Sequence, residues 1–95
     1  MTTLDKIKLA LRISHTKLDD DIQASIDACL ADLRLAGVTH KGEEDPLILN
    51  AIKLYCRADH TDDPVKATAW RQAYNELKSS LMVAKGYGWE DKADE

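Results

Sequence analysis

The sequence predicts an all-α protein, a four-helix bundle-like single domain with one short helix and three longer ones. Apolar residues recur at intervals of three and four along most of the 95-residue chain. Two Asp-Pro pairs, of the kind that begin helices, divide its second half. No segment alternates apolar and polar residues as a half-buried strand would. We therefore expect one helical domain over residues 1–89 and an acidic, flexible C-terminal tail over residues 90–95.

The composition is that of a globular protein, with 44% hydrophobic and 32% charged residues. The formal net charge of −4 argues against strong affinity for a nucleic-acid backbone, although it leaves room for a local basic patch. No apolar run is long enough to span a membrane, and the chain shows no signal-peptide pattern. We expect a protein made and used in the cytosol, without a membrane partner.

The first two helices are predicted from their apolar spacing. Leu4, Ile7 and Leu11 indicate a short helix over about residues 3–12. The second helix runs from Lys17 or Leu18 to Leu35 and ends at Gly37, a residue suited to a helix C-cap. Its acidic start, residues 19–21, lacks the alternating acids and the glycine of a calcium loop, so we interpret these charges as complementing the helix dipole.

The third helix, within residues 45–60, is the predicted hub of the fold. Asp45 is a suitable N-cap and Pro46 fits the first turn. Apolar residues surround the helix except along one narrow polar stripe, which indicates extensive burial. Three partner helices in so short a chain leave part of this surface uncovered, and a patch near Leu47 and Leu54 is then a candidate subunit interface. The loop at 38–44 is the most exposed connection.

The fourth helix is predicted over about residues 64–85, with Asp62 or Asp63 as its cap and glycines after its end. Its apolar face includes Trp70 and Tyr74, which pack in the core or anchor an interface, since Trp and Tyr are favoured at interfaces. Beyond the helix, Tyr87 and Trp89 either fold back on the chain or bind a neighbour. The sequence leaves both choices open.

Residues that could carry catalysis or bind a metal are scattered. Cys56 and His60 share a helix face, but no second pair completes a metal site, and an apolar setting raises the pKa of a thiol and lowers its reactivity. No phosphate-binding loop, dinucleotide fingerprint or nucleophile elbow occurs. The sequence therefore predicts no catalytic residue, no metal site and no cofactor, and Cys29 and Cys56 are expected to be small buried hydrophobes.

A row of cations on the fourth helix is the best candidate for contact with nucleic acid. Arg71, Lys78 and Lys85 recur every seven residues beside its apolar face. Three cations are few for backbone binding, so we expect either weak nucleic-acid contacts or the solvated edge of an amphipathic helix.

The order of these features resembles the small, all-helical head-tail connector proteins of tailed bacteriophages, also described as head-completion or DNA-packaging adaptor proteins. The resemblance covers residues 3 to about 89. It rests on a short first helix ending in Leu-Arg-Ile, an acidic-started helix ending at glycine, the apolar hub, and a last helix that begins with Asp-Pro. Within that last helix the pattern Trp70-x3-Tyr74-x2-Leu77 and the terminal Gly86-Tyr87 are the most telling.

The resemblance implies a structural virion-assembly protein without a cofactor. It implies a homo-oligomeric ring, of about twelve subunits or a similar number, beneath the portal protein. Tail or stopper proteins would dock on the ring, and DNA would pass through it without specific binding. The protein would occur in the host cytoplasm during assembly and at the head-tail junction of the virion. Trp70, Tyr74, Tyr87, Trp89, Leu47 and Leu54 are the expected interface residues.

Two other functions are compatible with the residues. A small acidic binding module, regulatory or antitoxin-like, would sequester one basic partner and form no ring. A weak nucleic-acid binder would use the basic row of the fourth helix, and its affinity would fall with added salt.

Overall fold

Four helices make up the fold of residues 1–88, the part of the chain that this computed structural model describes. They are α1 (Thr3–Leu11), α2 (Asp19–Leu35), α3 (Pro46–Asp59) and α4 (Pro64–Val83), and residues 1–88 contain no strand. The predicted all-α class is confirmed. The predicted ends agree with these bounds to within two residues.

Side chains of the residues before α1, α3 and α4 satisfy the first amides of these helices. Thr2 and Asp5 form a reciprocal capping box at α1. The Asp45 carboxylate accepts from the amides of residues 47 and 48, and Asp63 accepts from those of residues 65 and 66. Each of these acids precedes a proline, which has no amide proton to satisfy. The sequence left Asp62 or Asp63 as the cap of α4, and the structure shows that the cap is Asp63.

Helices α1 and α2 end in the same backbone motif. After α2, the Val38 amide donates to Leu33 at 2.9 Å and the Gly37 amide donates to Arg34 at 3.0 Å, with Gly37 at φ 94°. After α1, the Ile13 amide donates to Lys8 and Arg12 takes the left-handed position at φ 60°. The motif turns the chain sharply, so Val38 is buried and Ile13 packs against the core.

Helix α3 has the central position that its sequence predicted. It packs against α4, α2 and α1, and its buried residues face all three. Ile48, Ile52 and Cys56 are at most 1% exposed. The core around them is completed by α1, α2 and α4 through Ile7, Ile22, Ile26, Cys29, Leu33, Tyr74 and Leu81.

Helix α4 packs mainly on α3 and keeps one whole side in solvent. Tyr74 and Leu81 are its buried residues, whereas Val65 and Val83, near its two ends, are 76% and 70% exposed. On a helical projection the outward side holds residues 65, 68, 69, 72, 76, 79, 80 and 83. Glu76 is the single charged residue among them. This is a low charge for the solvent side of a surface helix.

Candidate functional site

A polar network joins α2 to α4 beside the core. The Tyr74 hydroxyl donates to Asp32 Oδ2 at 2.6 Å, and Lys78 Nζ lies 3.0 Å from the same oxygen. The Tyr74 hydrogen bond, with help from Lys78, lowers the pKa of Asp32 against the opposing effect of its partial burial. Burial and the bond to Asp32 raise the pKa of Tyr74. The carboxylate is therefore held charged between two donors, and it ties α4 to α2.

A second network surrounds Asp59 at the C-terminal end of α3. Its Oδ2 accepts from Ser25 Oγ at 2.8 Å, and its Oδ1 lies 3.3 Å from Arg71 Nη2. The Arg71 guanidinium also lies over the Tyr55 ring, 5.5 Å from its centroid. The Tyr55 ring in turn meets Tyr74 edge to face at 5.2 Å. These contacts align α2, α3 and α4 at this end of the molecule.

The basic row proposed for nucleic-acid contact is thus largely engaged within the chain. Arg71 pairs with Asp59 and Lys78 pairs with Asp32, so both cations already have a carboxylate. Lys85 lies in the turn after α4 and is exposed. Two of the three cations hold helices together, which favours the interpretation of the row as a structural edge.

The two cysteines are buried thiols with raised pKa values. Burial raises the pKa of Cys56 to about 12 and that of Cys29 to about 12, so neither forms a thiolate at neutral pH. The His60 Nε2 atom lies 3.0 Å from Ser25 Oγ. Among residues 1–88, no group of three or more His, Cys, Asp or Glu side chains is placed to hold a metal ion.

Ser25, His60 and Asp59 meet without the geometry of a catalytic triad. In a triad the acid orients the histidine and the histidine accepts the serine proton. Here Asp59 contacts the serine instead. A carboxylate only accepts, so Ser25 donates to Asp59 and the His60 ring nitrogen donates to the serine oxygen. Ser25 is 7% exposed, whereas Asp59 is exposed and His60 is half-buried, so this trio is a structural junction at the edge of the core.

The expected interface residues divide by their exposure. Tyr74 is 2% exposed and belongs to the core, the first of the two roles that the sequence left open. Trp70 is half-buried on the rim of a groove. On α3, Leu47 is 45% exposed, whereas Leu54 is half-buried and packs against the core. Leu47 is therefore the most exposed member of this set within α3 and α4.

The turn after α4 folds back onto the α2–α3 loop. The Tyr87 hydroxyl donates to Asp45 Oδ2 at 2.9 Å, and the Tyr87 carbonyl accepts from the Thr39 amide at 2.9 Å. Gly88, at φ 129°, lies so close to the Gly37 carbonyl that a β-carbon would collide with it. Tyr87 is thus held within the chain, and Trp89 lies outside the described residues, as does the predicted tail at 90–95.

A basic groove lies where the ends of α1 and α3 meet the start of α4. We call it the Trp70 groove, and it has a volume of about 480 Å³. The Arg57 guanidinium lies 6.0 Å from the centroid of the Trp70 ring. Among residues 1–88 its lining comprises Ala10, Leu11, Arg12, Arg57, His60, Thr61, Lys66 and Trp70, and includes no carboxylate. Sequence reasoning missed this cluster, because its cations come from the end of α1, from α3 and from α4.

The outward side of α2 is apolar. Ala24, Ala28 and Ala31 are exposed, and Leu35, on the same side of the helix, is 87% exposed. Aspartates border this stripe near the start of the helix, at positions 20 and 27. A solvent-facing row of small apolar residues lets another helix approach closely, so this face is a candidate contact surface.

A larger groove, of about 550 Å³, lies between the N-terminus, the C-terminal half of α2 and the loop at 38–44. Thr3 Oγ1 donates to Glu43 across one edge of it. Lys6, Arg34 and Lys41 line it together with Glu43 and Glu44, so its charges are mixed.

No helix within residues 1–88 is long and apolar enough to cross a membrane.

These observations define the class of the protein as all-helical, with exposed apolar and charged surfaces on its helices. A family model described as phage connector protein matches residues 3–88, nearly the whole chain. The chain belongs to this family, and the resemblance found in the sequence is confirmed. No curated protein and no solved structure matches the chain significantly.

Proposed function

We propose that the protein is a head-tail connector that forms a homo-oligomeric ring beneath the portal protein, through which DNA passes and on which tail or stopper proteins dock. The observation that carries the proposal is the match of residues 3–88 to the phage connector family. The role is structural: the protein would adapt one part of the virion to another by its shape and contacts, at the head-tail junction.

The surface of the protomer supports assembly by helix faces. A ring needs two different patches on each protomer, one that contacts the preceding subunit and one that contacts the next. The apolar side of α2 and the weakly charged outer side of α4 are two such patches, and they lie on different helices. They extend the interface beyond the exposed Leu47, the half-buried Trp70, and Trp89, which we retain as an interface proposal.

The net charge of −4 supports a passive role toward DNA. A channel should let DNA slide, and an acidic wall repels phosphate and avoids gripping it. The engagement of Arg71 and Lys78 by carboxylates further reduces the positive charge that could bind a backbone.

The test is assembly of the full chain alone and with the portal protein of the same phage. Native mass measurement and negative-stain imaging should reveal a ring, either in solution or only on the portal. Because such a protein can remain monomeric until it meets the portal, the sample with portal decides. A chain that binds no portal and forms no ring under either condition would contradict the proposal.

A further inference from the structure

We propose that the Trp70 groove binds the acidic segment at residues 89–95 of a second copy of this chain. The inference rests on the ring proposed above and names one of its contacts. Arg12, Arg57 and Lys66 lie together in the groove, and no carboxylate within residues 1–88 lines it. Like charges brought together repel one another, and an anionic partner relieves that repulsion.

The cations of the groove differ from Arg71 and Lys78, the other two cations of α4, in their partners. Arg71 and Lys78 lie 3.3 Å and 3.0 Å from the carboxylates that neutralise them. In the groove, Arg57 instead lies over the face of Trp70. A cation stacked on an indole still offers its N–H donors outward, so the pair presents an apolar ring and a charged fork side by side.

The segment after Gly88 has the complementary chemistry. Residues 89–95 comprise one Trp, four acids, one Lys and one Ala. The acids match the cations of the groove, and the Trp matches the apolar rim formed by Trp70, Leu11 and Ala10. The whole chain is acidic, so its own segment is an anionic partner present at the same concentration as the groove.

The geometry favours another copy over the same protomer as the source of the nearest acids. Tyr87 is bonded to Asp45 at the N-terminal end of α3, whereas the groove adjoins His60 at the other end. The 14-residue α3 is about 21 Å long. Glu90 and Asp91 lie two and three residues beyond Gly88 and reach at most about 11 Å from it. They therefore enter the groove of another copy, which gives a head-to-tail contact.

The shape of the groove favours a peptide over duplex DNA. About 480 Å³ of concave space accommodates a few side chains, whereas a duplex backbone is convex and draws on a longer row of cations. The net charge of −4 opposes approach of a duplex as well.

The test is binding of a labelled peptide with the sequence of residues 88–95 to the full chain, measured by fluorescence anisotropy. We expect saturable binding that weakens with salt and falls about tenfold or more in Arg57→Glu/Lys66→Glu. Lys66→Glu alone, at an exposed position in the first turn of α4, should show part of the loss if the double variant fails to fold. Lys6→Glu, which makes the same charge change in the other groove, should bind as the wild type does.

Charge reversal on both sides separates a direct contact from a loss of fold. A peptide with Glu90→Lys and Asp91→Lys should bind the Arg57→Glu/Lys66→Glu chain better than it binds the wild type. The proposal is overturned if the peptide does not bind, if Lys6→Glu weakens binding as much as the groove variants, or if a short DNA duplex binds the groove in its place. If the peptide fails while the chain still assembles on the portal, this contact falls and the connector role stands. If the peptide binds and no assembly occurs, the connector role falls and the contact stands.

Discussion

Arg12 adopts a left-handed backbone conformation that L-residues rarely take, with φ 60° and ψ 41°. It is the one residue other than glycine with positive φ in the described part of the chain. The β-carbon makes this conformation cost roughly 1 kcal/mol, and the equivalent position after α2 is occupied by Gly37. The retained arginine side chain lines the Trp70 groove, which offers a reason to tolerate that cost.

Replacing Arg12 by glycine should therefore raise the free energy of unfolding by about 0.5 kcal/mol, since relief of the strain exceeds the extra chain entropy of glycine in the unfolded state. Urea denaturation followed by circular dichroism measures the change. Arg12→Ala is the matched control, because it removes the same side chain and keeps the β-carbon. Equal stability of the two variants would show that backbone strain is not the cause.

The Asp32 carboxylate makes folding sensitive to acid. Its pKa in the folded protein lies below the ordinary value of 3.8, because Tyr74 and Lys78 favour the charged form. A lowered folded pKa contributes stability above the unfolded pKa, and this contribution is lost as the pH falls through the folded pKa. Asp32→Asn should destabilise the protein by about 1 kcal/mol at neutral pH, a modest value because the side chain is 39% exposed.

The difference from the wild type should shrink as the pH falls below 3.8 and through the lowered pKa of Asp32, because the wild-type carboxylate is then itself protonated. Denaturant midpoints measured from neutral pH down through the acid range give both values. The substitution Asp20→Asn, at the exposed start of α2, serves as a control with the same loss of charge. A gap between Asp32→Asn and the wild type that stays constant with pH would contradict the assigned role of this carboxylate.

At the scale of elements, Asp45 has two roles, and the sequence predicted one of them. It caps α3, as its position before Pro46 predicted, and it also accepts the Tyr87 hydroxyl from the turn after α4. Asp63 caps α4 in the same way without a contact of this kind. Asp45 and Tyr87, 42 residues apart in the chain, thus couple the start of α3 to the turn after α4.

Asp63→Ala should cost about 1 kcal/mol, the usual effect of losing a cap, whereas Asp45→Ala should cost about 1 kcal/mol more. The difference is the loss of the hydrogen bond from Tyr87, because its hydroxyl then has no acceptor at position 45. A double-mutant cycle of Asp45→Ala with Tyr87→Phe, followed by thermal or chemical unfolding, isolates that coupling. Additive effects of the two substitutions would show that the bond contributes nothing to stability.

At the scale of the whole molecule, charge is unevenly distributed among the helices. Helix α2 carries five aspartates and one arginine, and α4 carries three cations and one glutamate. Their outward sides are the least charged parts of each helix. This distribution suits side-by-side packing of copies, with apolar contact at the centre and opposite charges at the margins.

Ala28→Arg, in the middle of the outward side of α2, should therefore impair ring assembly while the helical content and unfolding midpoint stay near those of the wild type. The long charged side chain prevents the close approach of a second helix and perturbs no buried residue, since Ala28 is exposed. Native mass measurement with the portal protein reads the effect. Gln23→Arg, on the same helix but off the stripe, is the control, and assembly of both variants to the same extent would exclude this face from the interface.

The four helices and their caps are readable from the sequence because they depend on neighbours a few residues apart. Asp45-Pro46, Asp63-Pro64 and Gly37 act through hydrogen bonds to amides and carbonyls within one turn. The hub role of α3 is also readable from the sequence, because it follows from the apolar residues around this one helix. The order of these local features was also sufficient to indicate the family that the match over residues 3–88 shows.

The tertiary structure decided which polar residues meet, because those contacts depend on how the helices are placed against one another. In the sequence, Arg71 and Lys78 are candidates for binding a ligand. In the fold, α3 places Asp59 beside Arg71 and α2 places Asp32 beside Lys78. The cations of the Trp70 groove are separated by up to 54 positions and share no helix face that a periodicity could reveal. Local hydrogen bonding determines the helices of this connector, and packing between helices determines which of its charges remain for a partner.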